Sequence, residues 1–229
     1  MKPKIHIASC RKIKAANKQN ALQQCIWIDD VDLLQIDYVT KIDLSKQNFD
    51  AVVFTSQHAV KALEKFRFDK LTMTENLLRV KCFCIEGETS KLALTNGFNV
   101  IATAATSKLL AQEILKHSIK SVLFFCGDEH LEEWIFDLKK ENVSVEKRVV
   151  YFKNLIPHQF ENMHGAMFFS PSQVEAFLLK NDLKKEMPVF SIGETTAETL
   201  INKGFENIFI AENKSEESVM EKVIEYFKK

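Results

Sequence analysis

A weak internal repeat limits the folds open to this chain more than any bulk property does. Phe54-Thr55-Ser56-Gln57-His58-Ala59-Val60 is echoed by Phe168-Phe169-Ser170-Pro171-Ser172-Gln173-Val174. Further on, Gly87-Glu88-Thr89 leading to Gly97-Phe98 is echoed by Gly193-Glu194-Thr195-Thr196 leading to Gly204-Phe205. With Thr89 matched to Thr196, the closing glycine follows at the same distance in both copies. Each copy reads as strand, Ser or Thr turn, helix, glycine stop, then strand, the glycine forming a left-handed cap past the helix end. Two similar domains are therefore expected.

Short β-branched or aromatic runs supply the strand candidates: Lys4–Ala8, Cys25–Ile28, Ala51–Thr55, Lys81–Ile85, Asn99–Ala102, Ser121–Phe125, Val143–Phe152, Gly165–Phe169, Val189–Ile192 and Asn207–Ile210. Helical spacing appears in Ala59, Val60, Ala62, Leu63 and Phe66, in Leu131, Trp134, Ile135 and Leu138, and in Val219, Val223, Ile224 and Phe227. Such alternation predicts βαβ units and parallel sheets, an α/β fold.

The copies are unequally complete. The second has three strands before the chain ends in a helix, and residues 1–35 can supply the missing two, joined by the helix-like Ile13–Gln24. The expected organisation is a discontinuous domain of residues 1–35 and about 157–229, with residues 45–145 inserted as the other domain. Residues 36–44 and 146–156 would cross between them as extended, glycine-free linker strands, paired as a two-stranded hinge with an interdomain cleft as the ligand site. At 229 residues the chain is long for one domain and short for two, against a norm of ~150 residues each.

Charge and composition exclude several classes. Thirty-one lysines and arginines balance 31 aspartates and glutamates, so a nucleic-acid-coating protein with its basic excess is not expected, although an anionic small ligand is still allowed. No stretch approaches ~18 consecutive apolar residues, so no membrane span is expected. The start, Met1 to Ala8, carries too short an apolar run for a signal peptide, which points to the cytoplasm. Five cysteines, an odd count, fit reduced thiols, and Cys82 and Cys84 fit a buried strand better than a metal site. GxGxxG, P-loop, His-x-x-x-His and Cys-x-x-Cys signatures are absent, so no cofactor or metal is expected.

In parallel α/β domains ligands gather at the carboxyl ends of strands, beside helix N-termini. Ser56, Thr89, Ser170, Ser172 and Thr196 hold those positions, with Cys126-Gly127 after the strand at 121–125. Each hydroxyl read alone is an N-cap worth ~1 kcal/mol. Five in equivalent places shift the reading toward an anion-lined cleft. His58 follows a cleft turn and reads as a solvated helix residue. Arg11, Lys12 and Lys14 after the first strand either meet carboxylates or form a solvated face, the latter being the expected role; Glu86, Glu88 and Glu194 are either acid–base candidates or ordinary first-turn glutamates. Tyr151 sits on the second crossing, where its phenol either faces the cleft as a proton donor or packs in the hinge.

These features in this order resemble the uroporphyrinogen-III synthase family over nearly the whole chain. The resemblance is carried by Val53-Phe54-Thr55-Ser56 with Ala59-Val60, by Cys126-Gly127, by Val150-Tyr151, by Phe169-Ser170-Pro171-Ser172, and by Ile192-Gly193-Glu194-Thr195-Thr196-Ala197 followed by Gly204. One departure stands out. The family places glycine three residues before the first-domain threonine, and here that place is Glu86, with glycine moved to Gly87.

The resemblance implies two α/β domains, one discontinuous, joined by a two-strand linker. It also implies a cytosolic, cofactor-free, monomeric enzyme of tetrapyrrole biosynthesis. Its substrate would be hydroxymethylbilane, a linear polycarboxylate that loses water and closes with inversion of ring D. Tyr151 would be the general acid, and Ser56, Thr89, Cys126, Gly127, Ser170, Ser172, Thr195 and Thr196 would hold the substrate. The alternative is a non-enzymatic two-domain binding protein for an anionic small molecule.

Overall fold

The computed structural model describes residues 5–42, 49–67, 77–130 and 132–228. Lys4, the linker residues 43 and 44 and Leu131 from the readings above lie outside them, as do residues 45–48 and the Phe66 side chain. The elements run β1 (Ile5–Ser9), α1 (Ala15–Gln23), β2 (Ile26–Asp30), β3 (Leu34–Tyr38), β4 (Ala51–Phe54), α2 (Gln57–Arg67), β5 (Lys81–Ile85), α3 (Glu88–Thr95), β6 (Asn99–Ala104) and α4 (Ser107–Leu115). They continue with β7 (Ser121–Gly127), α5 (Glu133–Lys140), β8 (Ser144–Leu155), β9 (Gly165–Phe168), α6 (Pro171–Leu178), β10 (Val189–Ser191), α7 (Glu194–Asn202), β11 (Ile208–Ile210) and α8 (Glu216–Phe227).

The chain divides into two compact units. Unit 1 comprises Met1–Gln35 and Asn154–Lys229, and unit 2 comprises Ile36–Lys153. In unit 2 the sheet order is β3-β8-β7-β4-β5-β6, and β4 pairs in parallel with both β5 and β7. In unit 1 the order is β11-β10-β9-β1-β2, every pair parallel. The two orders are one order. Beginning unit 2 at β4 and unit 1 at β9, both read third, second, first, fourth, fifth across the sheet, with β1 and β2 filling the fourth and fifth places. The incomplete second copy is thus completed from the amino terminus.

Both sheets are covered on both faces, which is why their central strands read as unbroken apolar runs. In unit 2, Val53 and Phe124 pack with Leu110, Ile114 and Trp134 on one face, while Val52, Phe54 and Phe125 pack with Val60, Leu63 and Phe98 on the other. In unit 1, Phe168 and Val189 pack with Phe177 and Leu200, while Ile7, Met167 and Phe190 pack with Val219 and Val223. Cys82 and Cys84 are buried neighbours on β5 with free thiols.

The extended strands at the two crossings begin at Leu34 and Ser144. The Val39 N–H donates to the Val150 carbonyl, and the Ile156 N–H donates to the Leu33 carbonyl. Residue numbers rise on one strand as they fall on the other, so β3 runs antiparallel to β8. This register sets Tyr38 opposite Tyr151.

Gly87 explains the displaced glycine. Its φ of 86° and ψ of −132° are open to glycine and strained for other residues. Gly193, its counterpart, is extended at φ 177°, a conformation any residue adopts. Both glycines hold the N-cap of their helix, and only Gly87 has a backbone that requires glycine. A Cβ at Gly87 would meet nothing within 4 Å, so Gly87→Ala isolates backbone strain. It is expected to cost about 1–3 kcal/mol of stability, read as a lower denaturation midpoint with an unchanged m-value.

Candidate functional site

Doubly wound sheets open a crevice where the strand order reverses, outside the carboxyl ends of the strands. In unit 2 that point lies between β4 and β7. β4 delivers Thr55-Ser56 there, β7 delivers Gly127-Asp128, and β8 runs alongside with Tyr151 in register with Gly127. Tyr151 is 8% exposed. Its phenol is hydrogen-bonded to the Ser56 hydroxyl, and its carbonyl accepts the Asp128 N–H at 3.2 Å.

The ring fits only because residue 127 lacks a side chain. A Cβ on Gly127 would stand 2.7 Å from both Cε2 and Cζ of Tyr151. The Gly127 carbonyl in turn accepts a hydrogen bond from His130 Nδ1 at 3.0 Å, while His130 Nε2 lies 3.2 Å from Glu132 Oε1. Burial raises the Tyr151 pKa above the ordinary tyrosine value. The Ser56 bond opposes that shift, and Cys126 and Asp128 add to it. The phenol therefore keeps its proton throughout the neutral range.

Reading His58 as solvated was wrong. Its ring is half-buried, 5.5 Å from the Tyr151 ring, and Nδ1 lies 3.4 Å from the Tyr38 hydroxyl. Tyr38, raised in pKa by burial and then by Tyr151 and Glu64, went unrecognised as a site residue. Only the antiparallel register of β3 on β8 could have revealed it. Burial holds His58 below its ordinary pKa, helped by Lys61 and Lys153. The unfolded chain takes up that proton first as pH falls, so stability declines from about pH 6.5 downward through the lowered native pKa. Thermal melts from pH 7.5 to 5.5 are expected to fall more steeply for the native protein than for His58→Gln.

The hydroxyl-bearing turns separate into two kinds. Ser56 accepts the His58 N–H at 3.2 Å and Ser170 accepts the Gln173 N–H at 3.3 Å, so both cap their own helices. Gln173 Oε1 also takes the Phe169 N–H at 2.7 Å, locking the turn that holds Ser170 and Ser172. Thr89 and Thr196 are not caps. They lie inside the first turns of α3 and α7, 6% and 3% exposed, while Thr195 is exposed. Gly87 and Gly193 hold the cap positions of α3 and α7 without any side-chain cap bond, leaving those helix starts with backbone donors for an anion.

Cys126 turns its thiol into the core beside Trp134, 3.7 Å from the Arg148 carbonyl, and burial pushes its pKa up to about 11. Glu86, Glu88 and Glu194 are exposed, and Glu88 pairs with Lys91 at 3.0 Å. In unit 1, Arg11 is half-buried rather than solvated, 3.1 Å from Glu216, while Lys12 and Lys14 are exposed. Among the described residues no cluster of potential metal ligands occurs, and no helix is long and apolar enough to cross a membrane.

Residues 34–221 match the family model HEM4, described as uroporphyrinogen-III synthase HemD. The uroporphyrinogen-III synthetase of Helicobacter pylori 26695 superposes with a TM-score of 0.73 at 21% identity, covering 97% of this chain and 99% of that one. A mutant uroporphyrinogen III synthase from the extremely thermophilic bacterium Thermus thermophilus superposes with a TM-score of 0.67 at 15% identity, covering 97% and 98%. At such identities these likenesses speak for the two-domain α/β fold. Comparison with curated proteins gives no match.

Proposed function

We propose, from the premise that this chain belongs to the uroporphyrinogen-III synthase family, that it acts as a monomeric, cytoplasmic hydro-lyase on hydroxymethylbilane, with Tyr151 as its general acid. The observation that supports this role is the placing of Tyr151 at the strand-order reversal of unit 2, its ring over Gly127 and its phenol on Ser56. The comparisons do not favour the binding-protein alternative.

The reaction removes the terminal hydroxyl of the bilane as water and closes the macrocycle with ring D inverted. A hydroxide is a poor leaving group. Transfer of the Tyr151 proton to the departing oxygen lets it leave as water. The cation left behind is attacked by the substituted carbon of ring D, giving a spiro arrangement that reopens and closes in the inverted sense. The proton lost when the pyrrole regains aromaticity restores the phenol, so the cycle balances with water as the only by-product. Ser56 accepts or donates at the phenol and fixes its direction. The Tyr38–His58 pair walls the ring, and a neutral His58 adds no charge that would repel the developing cation.

The second task is grip. The bilane is flexible and many-fold anionic, and holding it for closure at the substituted carbon is where orientation contributes, up to ~7–11 kcal/mol in the best cases. The open helix starts at Gly87-Glu88-Thr89 and Gly193-Glu194-Thr195-Thr196 offer backbone donors for carboxylates, with Ser172 as a further contact. Buried Thr89 and Thr196 shape those turns from beneath.

The direct test supplies hydroxymethylbilane, oxidises the products and separates the porphyrins by isomer. Dominant type III is the expected result. Type I alone, the product of closure without inversion, from folded protein would remove the synthase reading.

A further inference from the structure

Unit 1 repeats the strand order of unit 2, and its own reversal lies between β9 and β1. β9 ends there at Phe168, followed by Phe169-Ser170, and β1 ends at Ser9, followed by Cys10-Arg11. Ser9 pairs with Met167 as Phe124 pairs with Val53, so Arg11 lies two residues further on, at the carboxyl end of β1, in the place that Cys126 holds in unit 2. The guanidinium carbon of Arg11 stands 3.9 Å from the centroid of the Phe169 ring, and Nη2 donates to Glu216 Oε2 at 3.1 Å.

Glu216, at the start of α8, is only 6% exposed. Its other oxygen accepts the Lys14 N–H at 2.9 Å and Asn17 Nδ2 at 2.7 Å, so the carboxylate is fixed from three sides. Arg11 is thus clamped between an aromatic face and a rigid carboxylate. Its donors are not exhausted. Among the described residues the guanidinium has no acceptor but Glu216, Nε is buried without a partner, and 35% of the side chain remains open.

We propose that Arg11 is a carboxylate-binding residue of unit 1 and that Glu216 is its positioning residue. The ligand class, a pyrrole-borne polycarboxylate, rests on the synthase reading above. Four cations around the turn meet four carboxylates: Lys14 pairs with Glu217, Lys12 and Lys18 share Asp30, Arg11 pairs with Glu216, and Asp32 accepts the Lys12 N–H. A carboxylate is accordingly recognised by the planar fork of the guanidinium rather than by a positive field, and a lysine, which carries the same charge without the fork or the stacking plane, cannot replace it.

The test uses the full chain with uroporphyrin III, a cyclic octacarboxylate, as the binding probe, followed by fluorescence. Steady-state kinetics on hydroxymethylbilane and thermal melts accompany it. Arg11→Lys is expected to weaken porphyrin binding by about 10-fold, to raise KM for the bilane by more than kcat falls, and to leave Tm within a few degrees. Glu216→Gln, which keeps an acceptor for the Lys14 N–H, is expected to shift binding the same way by a smaller factor. Native affinity in Arg11→Lys overturns the proposal, as does a loss of affinity that only tracks a loss of Tm. Arg11→Gln takes the place of Arg11→Lys should that variant fail to fold. A native protein that binds the porphyrin yet forms only the type I isomer refutes the synthase reading while leaving Arg11 to be judged on binding. A native protein that does not bind the porphyrin overturns the Arg11 assignment.

Discussion

Tyr151→Phe is expected to lower turnover by about 10²–10⁴, the span that a positioned general acid contributes, while changing substrate affinity by no more than a few-fold. Phenylalanine keeps the ring over Gly127 and its packing with Phe54 and Phe125, so the fold survives the change. What it removes is one proton and one hydrogen bond to Ser56. Single-turnover measurements separate the two effects: the chemical step slows, while the concentration dependence of its rate hardly moves. The pH profile gives a second check. Burial raises the phenol above the ordinary tyrosine value, so the native enzyme retains its acid until the pH passes that range. An alkaline limb that begins near neutrality, or a rate unchanged in Tyr151→Phe, would take Tyr151 out of the mechanism.

Gly127→Ala is expected to have the next largest effect, and by a different route. The new methyl group would stand 2.7 Å from two ring carbons of Tyr151, so the ring must move or the strands must part. Overpacking of this kind costs about 1–3 kcal/mol of stability. A displacement near 1 Å at a reacting group can cost about 10²-fold in rate. The double variant Gly127→Ala with Tyr151→Phe tells the two losses apart. If glycine matters by placing the phenol, the loss in turnover on adding Gly127→Ala is much smaller once the hydroxyl is gone. If the losses multiply in full, Gly127 acts on the site by some other means.

The sheets were legible because the features that build them are local. Val52 to Phe54, Leu123 to Phe125 and Ala166 to Phe168 are apolar runs between turn residues, and the repeat carried enough register to show that the second copy lacked two strands. Tyr151 was nominated from its position on a crossing strand. The residues around it were not. Tyr38 and His58 reach Tyr151 through an antiparallel register that no periodicity encodes. Arg11 meets Glu216 across nearly the length of the chain. The direction of the Cys126 thiol could not be read because both faces of β7 are buried, which leaves no alternation to tell one face from the other. Thr89 and Thr196 looked like caps because a capping threonine and a buried first-turn threonine differ in sequence by only two or three helix positions.

The permuted strand order of unit 1 has a consequence for synthesis on the ribosome. All of unit 2 lies in one uninterrupted segment, Ile36–Lys153, so its sheet can be completed before the chain returns to unit 1. Unit 1 has no such course. β1 can pair with β2 at once, Ile5 against Ile26, but its other neighbour, β9, pairs Gly165 with Ile7 and is made only after unit 2 is finished. Loop closure of that length is costly in entropy and slow, and the first two strands must wait with one edge bare. The nascent chain therefore carries an exposed two-strand ribbon until the segment that covers it, from Asn154 onward, has been made.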